Sequence, residues 1–326
     1  MQLSYKSTKA SEVQIPKPVL GTDQILVKVH YAALDTGTDE VLQQSLSGMF
    51  IHAKAKKNGP PLVLGWHFTG SVEEFGVNVN KETVQPSDMV WGFLQYWPDQ
   101  KQGSFSEYIA VHVNECALVP KNVPLEQVAA ASTEALTALQ AMRDLGNLSA
   151  GKSILVLGAG GGVGSAAVQI AKNLGAHVTA SCSTKDVKRV KDLGADVVID
   201  RGIQDPLATG SKSKYDVIFD APNKYSAVRA MRILRPKGAY VVTMWTWSLL
   251  AAIFLSIFNG KKAKFIECFS KREDLDVVGK WLQEGKLRID VDSTFPVRNL
   301  EQAMTRQNDK SKLGRVLVQV DHGWKD

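Results

Sequence analysis

The chain has 326 residues, 44% of them hydrophobic and 22% charged, with a formal net charge of +6. This is long enough for two domains with large buried cores, in the proportions of an ordinary globular protein. The basic residues are interleaved with 33 acids, which argues against a nucleic-acid-binding protein, and three scattered cysteines (Cys116, Cys182, Cys268) argue against a disulfide framework or a cysteine-rich zinc lobe.

The first residues, MQLSYKSTKASEV, lack the apolar stretch of a signal peptide. The expected location is therefore cytoplasmic, or organellar (stroma or matrix) after removal of a targeting peptide. Short β-type runs follow at Ile25–Val29, Ser71–Glu74, Met89–Gly92 and Tyr108–Val111, broken by Gly, Pro and Asn. Their pattern predicts a small antiparallel barrel.

From Ile154 the pattern changes. Apolar runs at Ile154–Leu157, His177–Ser181, Val197–Ile199, Val217–Phe219 and Tyr240–Val242 recur at intervals of roughly 20 residues. Helix-period stretches lie between them: Val163, Ala167, Ile170 and Leu174 share one face, then Val187, Val190 and Leu193. Alternation of this kind predicts a parallel doubly wound sheet with its ligand at the carboxyl ends of the strands. Between the first strand and the first helix lies Gly158-Ala-Gly-Gly-Gly-Val-Gly164. Such a turn aims backbone N–H groups and a helix N-terminus at a diphosphate, and its glycines let the main chain approach the anion.

Met244–Phe258 carries no charge over 15 residues and is followed by Lys261, Lys262 and Lys264. It is too short to cross a bilayer comfortably, since a span takes about 20 residues. A buried or subunit-interface helix is the first expectation, and shallow peripheral membrane contact through residues 244–264 the second. The late strand Arg315–Val320 is expected to return to the first domain.

Several of these landmarks are similar to the zinc-free branch of the medium-chain dehydrogenase/reductase superfamily, the quinone oxidoreductase (zeta-crystallin-like) and enone reductase group. Leu64-Gly-Trp-His-Phe-Thr-Gly-Ser-Val72 resembles that group's Pro-Gly-x-Asp-x-x-Gly-x-Val, and Gly103-Ser-Phe-Ser-Glu-Tyr108 its Gly-x-Phe/Tyr-Ala-Glu-Tyr strand. Residues 129–142 with Thr137-Ala138, the glycine loop at 160–172, Leu193-Gly-Ala-Asp196 with Val198-Ile-Asp200, and Leu313-Gly-Arg-Val-Leu317 follow in the family's order. The resemblance implies a GroES-like barrel (1–122, completed by 271–326) and a Rossmann domain (123–270), with an active site in the cleft between them. It also implies a homo-oligomer, here expected to be a homodimer.

Where zinc-dependent members of the superfamily place a Cys and a His, this chain has Asp35 and Trp66. Zinc takes three or four convergent N, S or O ligands, which the sequence does not offer. No metal is therefore expected, and hydride addition to an already activated acceptor is favoured over alcohol oxidation. The end of the second parallel strand reads Ser181-Cys-Ser183-Thr-Lys185, with no acid before Asp186. An acid there would bind the ribose diol of NAD and repel a 2′-phosphate. With Arg201 in place of the family's tyrosine, and Lys188 and Arg189 on the next helix, NADPH is the expected cofactor. These basic residues could individually be a solvated helix face. Gly160, Gly161, Gly162, Val163, Gly164, Ser181, Ser183, Lys185 and Arg201 make up the expected cofactor site, with Thr137 approaching the nicotinamide.

The expected reaction takes hydride from NADPH to the β-carbon of an enone or alkenal, or to a quinone. It needs positioning and hydrogen-bond donors more than a strong acid. Candidate catalytic residues are Asp35, His67 and Tyr96. Asp35 replaces the family's Asn, and either donates to substrate or braces its loop; Thr38 and Glu40 also depart from the family's pattern. His67 replaces the family's Asp, and is either a proton donor or a packed histidine bonded to backbone. Tyr96 and Trp97 read as pocket wall more than as acid. Two alternatives stand: an enoyl-thioester reductase, and an NADPH-binding protein of low activity held at a membrane or partner by the 244–258 segment and by Lys54, Lys56 and Lys57.

Overall fold

The computed structural model describes residues 2–6, 9–35, 63–95, 102–208, 214–309 and 311–320. They divide into two compact units: Met1–Thr133, Ser270–Gly285 and Ile289–Asp326 form the first, and Glu134–Phe269 with Lys286–Arg288 the second. The boundary falls inside helix α1 (Leu125–Gln140), whose first residues belong to one unit and the remainder to the other.

In the first unit, β1 (Gln2–Lys6) and β2 (Lys9–Val13) form an antiparallel hairpin. The main sheet contains β3 (Gln24–Ala33), β4 (His67–Phe75), β5 (Met89–Phe93), β6 (Tyr108–His112), β7 (Cys116–Leu118), β14 (Val291–Pro296) and β15 (Arg315–Gln319). Its order is β14-β15-β3-β4-β5-β7, with β6 also on β3. All pairings are antiparallel except β14 with β15. Strand β3 organises it: β4 runs along one side, while β6 pairs with its first half and β15 with its last residues. Ile25, Val27, Phe68, Val72, Val90 and Ile109 fill one core cluster, and Leu34, Leu64, Phe105, Leu300 and Val316 another. Helices α6 (Arg272–Gln283) and α7 (Leu300–Asn308) complete the unit. Arg306 of α7 forks onto Asp292 of β14 through Nε and Nη2 at 2.7 and 2.6 Å.

The second unit is a six-stranded, all-parallel sheet in the order β10-β9-β8-β11-β12-β13. The strands are β8 (Ser153–Leu157), β9 (His177–Cys182), β10 (Val197–Asp200), β11 (Tyr215–Asp220), β12 (Leu234–Val242) and β13 (Lys262–Phe265). Ile154, Leu155, Val156 and Leu157 of the central strand are all fully buried. This explains why it reads as a continuous apolar run rather than an alternating one. Helices α2 (Gly162–Asn173), α3 (Val187–Asp192), α4 (Ala227–Arg232) and α5 (Trp247–Asn259) connect the strands. The strand order reverses between β8 and β11, the position at which a doubly wound sheet opens a crevice. The chain is thus a GroES-like domain joined to a Rossmann-type parallel sheet.

Two expectations are corrected. Strand β13, with lysines alternating along it, adds a sixth strand where five apolar runs were expected. Residues 244–258 do not form a buried helix: in α5 only Leu249 and Ala252 are buried. One face of the helix meets the sheet, and the opposite face carries large apolar side chains as well. No described helix is long and apolar enough to cross a membrane.

Candidate cofactor and proton-transfer sites

In the second unit the glycine turn leaves the carboxyl end of β8. Gly158 has φ +74°, a left-handed conformation that favours glycine, and a Cβ there would strike Pro222 at 2.5 Å. A Cβ on Gly164 would lie 2.2 Å from the Gly158 carbonyl oxygen, so α2 can pack onto the turn only with glycine there. Ala159 N–H donates to Ser181 O (2.8 Å) and Gly161 N–H to Gly158 O (3.0 Å), which fixes the turn against β9. Gly161 is the N-cap of α2 and supplies no side-chain cap. The first-turn N–H groups of α2, from Gly162, Val163 and Gly164, are therefore left to an external anion. An added Cβ on Gly161 would meet only the Gly158 oxygen, at 3.5 Å. These features fit a dinucleotide diphosphate.

At the end of β9 the residues expected at the adenosine ribose part company. Ser181 is buried, and its hydroxyl has no hydrogen-bond partner among the described residues. Ser183 Oγ donates to Asp186 Oδ2 at 2.5 Å, so its hydroxyl is engaged inside the turn. Lys185 is exposed, and so is Arg201, whose N–H donates to Cys182 O (2.9 Å). As the sequence reads, no acid precedes Asp186 here, and Asp186 itself folds into this corner. A single 3-10 turn, Thr184–Asp186, swings the carboxylate of Asp186 back beneath the glycine turn, where a Cβ on Gly160 would lie 2.5 Å from Oδ2. Asp186 is only 6% exposed. Arg189 Nη2 donates to Gly160 O (2.5 Å) and lies 3.5 Å from Asp186 Oδ1, which supplies the carboxylate's counter-charge. Lys188 instead pairs with Asp192 on the helix surface, at 2.8 Å.

Helix α1 contributes two further groups to this unit. Thr137 is 7% exposed, and Glu134, which sequence reasoning missed, is 3% exposed. Glu134 packs on the start of α2, its Cγ 3.2 Å from where a Gly162 Cβ would stand. Across the strand-order reversal, Asp220 ends β11 fully buried. It accepts from Tyr240 Oη (2.8 Å) and Tyr225 N–H (3.0 Å), and burial pushes its carboxyl pKa up.

The first unit holds a second polar cluster. His67 opens β4 and is fully buried. Its Nδ1 lies 3.0 Å from Ser132 Oγ and 3.1 Å from Thr133 Oγ1. Its Nε2 lies 3.3 Å from Thr133 Oγ1 and 3.8 Å from Asp35 Oδ2. Among the described residues the imidazole thus meets two hydroxyls and a carboxylate. Ser132 Oγ also donates to Ala129 O (3.4 Å), which leaves it an acceptor toward Nδ1–H and turns Nε2 toward Asp35. Asp35 is 21% exposed at its side chain and Thr133 is half-buried, so both connect the enclosed ring with the surface. Tyr96, Thr38, Glu40, Trp97 and Lys54, Lys56 and Lys57 lie outside the described residues. Trp66 is buried in the barrel core, and it has no lone pair to offer a metal. Among the described residues no group of three or more His, Cys, Asp or Glu is placed to hold a metal ion.

The family profile described as "Alcohol dehydrogenase GroES-like domain" matches residues 21–121, and that described as "Zinc-binding dehydrogenase" matches residues 193–318. The chain is 30% identical to the trans-enoyl reductase pgmF of Aspergillus terreus, over 94% of this chain and 89% of that protein. It is 31% identical to the mitochondrial NAD(P)H oxidoreductase RTN4IP1 of Mus musculus, over 91% and 82%. Among solved structures, the quinone oxidoreductase from Coxiella burnetii superposes with a TM-score of 0.84 at 26% identity, covering 98% of this chain and 99% of the other.

Proposed function

Because the chain belongs to the quinone oxidoreductase-like group of the medium-chain dehydrogenase/reductase superfamily, we propose that it uses NADPH to reduce an α,β-unsaturated carbonyl or a quinone. The observation that carries the reading is the uncapped start of α2 behind a turn whose Gly158 and Gly164 cannot take a Cβ without collision. When bound there, the nicotinamide supplies hydride to an electron-poor carbon.

The chain's own groups do the rest. Gly160 to Gly164 and the N-terminus of α2 hold the diphosphate, and Thr137 orients the nicotinamide end. At the adenosine end, Asp186 is turned inward onto Arg189 and Ser183, so its charge is compensated and withdrawn from a 2′-phosphate. The cations Lys185 and Arg201 are exposed at the same corner and would meet that phosphate. This supports NADPH over NADH. In the first unit, a proton on His67 Nε2 has Asp35 as its counter-charge, and Thr133 offers a hydroxyl path outward. That chain of groups would return a proton to the anion left by hydride addition, with no metal in the step.

The test is oxidation of NADPH in the presence of quinones, short alkenals, long-chain enones and an enoyl thioester. Turnover with at least one acceptor is expected. Absence of turnover with all of them, in a preparation that binds NADPH, would leave a cofactor-binding protein instead. A Lys185→Ala/Arg201→Ala double variant should lose about tenfold or more in NADPH affinity. Its affinity for NADH should be unchanged, and an equal loss for both cofactors would refute the assignment of these cations to the 2′-phosphate.

A further inference from the structure

At Gly160 the space that a side chain would fill is taken by a carboxylate. An added Cβ would lie 2.5 Å from Asp186 Oδ2, 2.8 Å from its Cγ and 3.1 Å from its Cβ. Gly160 does not share the left-handed φ of Gly158, so it is this neighbour, not the backbone, that leaves no room there. Asp186 is the N-cap of α3, a position from which a carboxylate usually accepts from the first N–H groups of its own helix. Its side chain makes no such bond. It is turned onto the glycine turn instead, where Ser183 Oγ donates to Oδ2.

Arg189, farther along α3, lies between the two. Its Nη2 donates to Gly160 O (2.5 Å) and stands 3.5 Å from Asp186 Oδ1. One guanidinium nitrogen thus faces the oxygen of a peptide dipole and the oxygen of a carboxylate. Both groups lie at Gly160, the residue before the N-cap of α2. A buried carboxylate deprived of its cation repels any anion held nearby, whereas loss of both members of such a pair leaves no charge behind.

We infer that Arg189 is a positioning residue for the cofactor, acting by cancelling the charge of Asp186 and by tying down the Gly160 carbonyl in the turn that receives the diphosphate. This role rests on the dinucleotide reading of that turn, and it concerns the part of the cofactor that NADPH and NADH share. Lys185 and Arg201 would separate the two nucleotides, whereas Arg189 serves both. Because the members of the pair carry opposite charges, they act on binding with opposite sign. Removing the cation weakens it, and removing the carboxylate does not. A pair kept only for folding has no such signature.

The experiment is calorimetric titration with NADPH and with NADH of the full-length chain, Arg189→Met, Asp186→Asn and the double variant, with a thermal melt of each protein alone. Arg189→Met should bind both nucleotides roughly tenfold or more weakly, and to the same degree. Asp186→Asn should bind both at least as tightly as the unmodified chain, and Asp186→Asn/Arg189→Met should recover most of the lost affinity. A structural role would instead make both single variants melt lower and bind worse, with the double variant worst. That pattern, or unchanged affinity in Arg189→Met, would overturn the inference. So would a loss confined to NADPH, which would place Arg189 at the 2′-phosphate. Weaker binding by Asp186→Asn, which keeps an acceptor for Ser183, overturns it whether or not Arg189→Met folds. If the unmodified chain binds neither nucleotide, the dinucleotide reading itself falls, and this role falls with it.

Discussion

His67 is wholly enclosed, yet what its ring meets is chemically active: two hydroxyls on one helix and a carboxylate on one loop. A histidine kept only for packing needs no such neighbours, whereas this one has the Asp35 carboxylate 3.8 Å and the Thr133 hydroxyl 3.3 Å from Nε2. His67→Gln keeps the size and the hydrogen bonds but removes the titration. Turnover should fall several-fold, NADPH affinity should hold, and the pH–rate profile should lose one limb. A variant whose profile keeps the native shape would reduce His67 to a structural role. The acid Asp186 teaches the converse. It follows the end of β9 by four residues, and one tight turn brings it back to Gly160. Position along the chain could not reveal that, because a single 3-10 turn reverses the direction of a side chain.

At the scale of elements, α7 is fastened to β14 by a forked charge-assisted contact. Arg306 donates twice to Asp292, and Leu313 N–H adds a third bond at 2.8 Å. Together they hold the Asp292 carboxyl down at about 2. A depressed carboxyl pKa stabilises the native state above the ordinary carboxylate range, and that contribution drains away as pH falls from about 4 toward about 2. Asp292→Asn should therefore lower stability by about 1–3 kcal/mol at neutral pH, with a smaller deficit in strong acid. Urea titration at both pH values checks it, and a deficit that does not shrink in acid would refute the electrostatic explanation. Helix α5 marks what element-level reading misses. Its run of apolar residues made a helix legible, but periodicity cannot say that both faces are apolar because one of them stays outside.

Over the whole molecule, legibility followed the range of the interactions. The parallel sheet could be read because its strands are buried on both faces and announce themselves as unbroken apolar runs. The glycine turn was legible because its chemistry is backbone chemistry, complete within a few residues. What could not be read depends on contacts between distant segments. His67 meets Ser132 from 65 positions away, Glu134 reaches the start of α2, and β13 becomes a strand only because β12 is there to pair with it. Its sequence, alternating lysine with Ala263 and Phe265, offers no apolar run of its own.

Strand β3 pairs with β15, whose residues are made only after the second unit closes at Arg288. On the ribosome the two units must therefore mature in an order opposite to their first appearance. The barrel strands emerge early and wait with an open edge, and the parallel sheet can be finished while they wait. Chains arrested soon after residue 288 has cleared the exit tunnel should already resist protease across 134–269 and still be cut between β3 and β7. Simultaneous protection of both regions only at full length would show that the units fold as one. Synthesis thus leaves a long strand uncovered in a crowded cell for the time taken to translate the intervening domain. For this chain, that interval is where a chaperone would matter most.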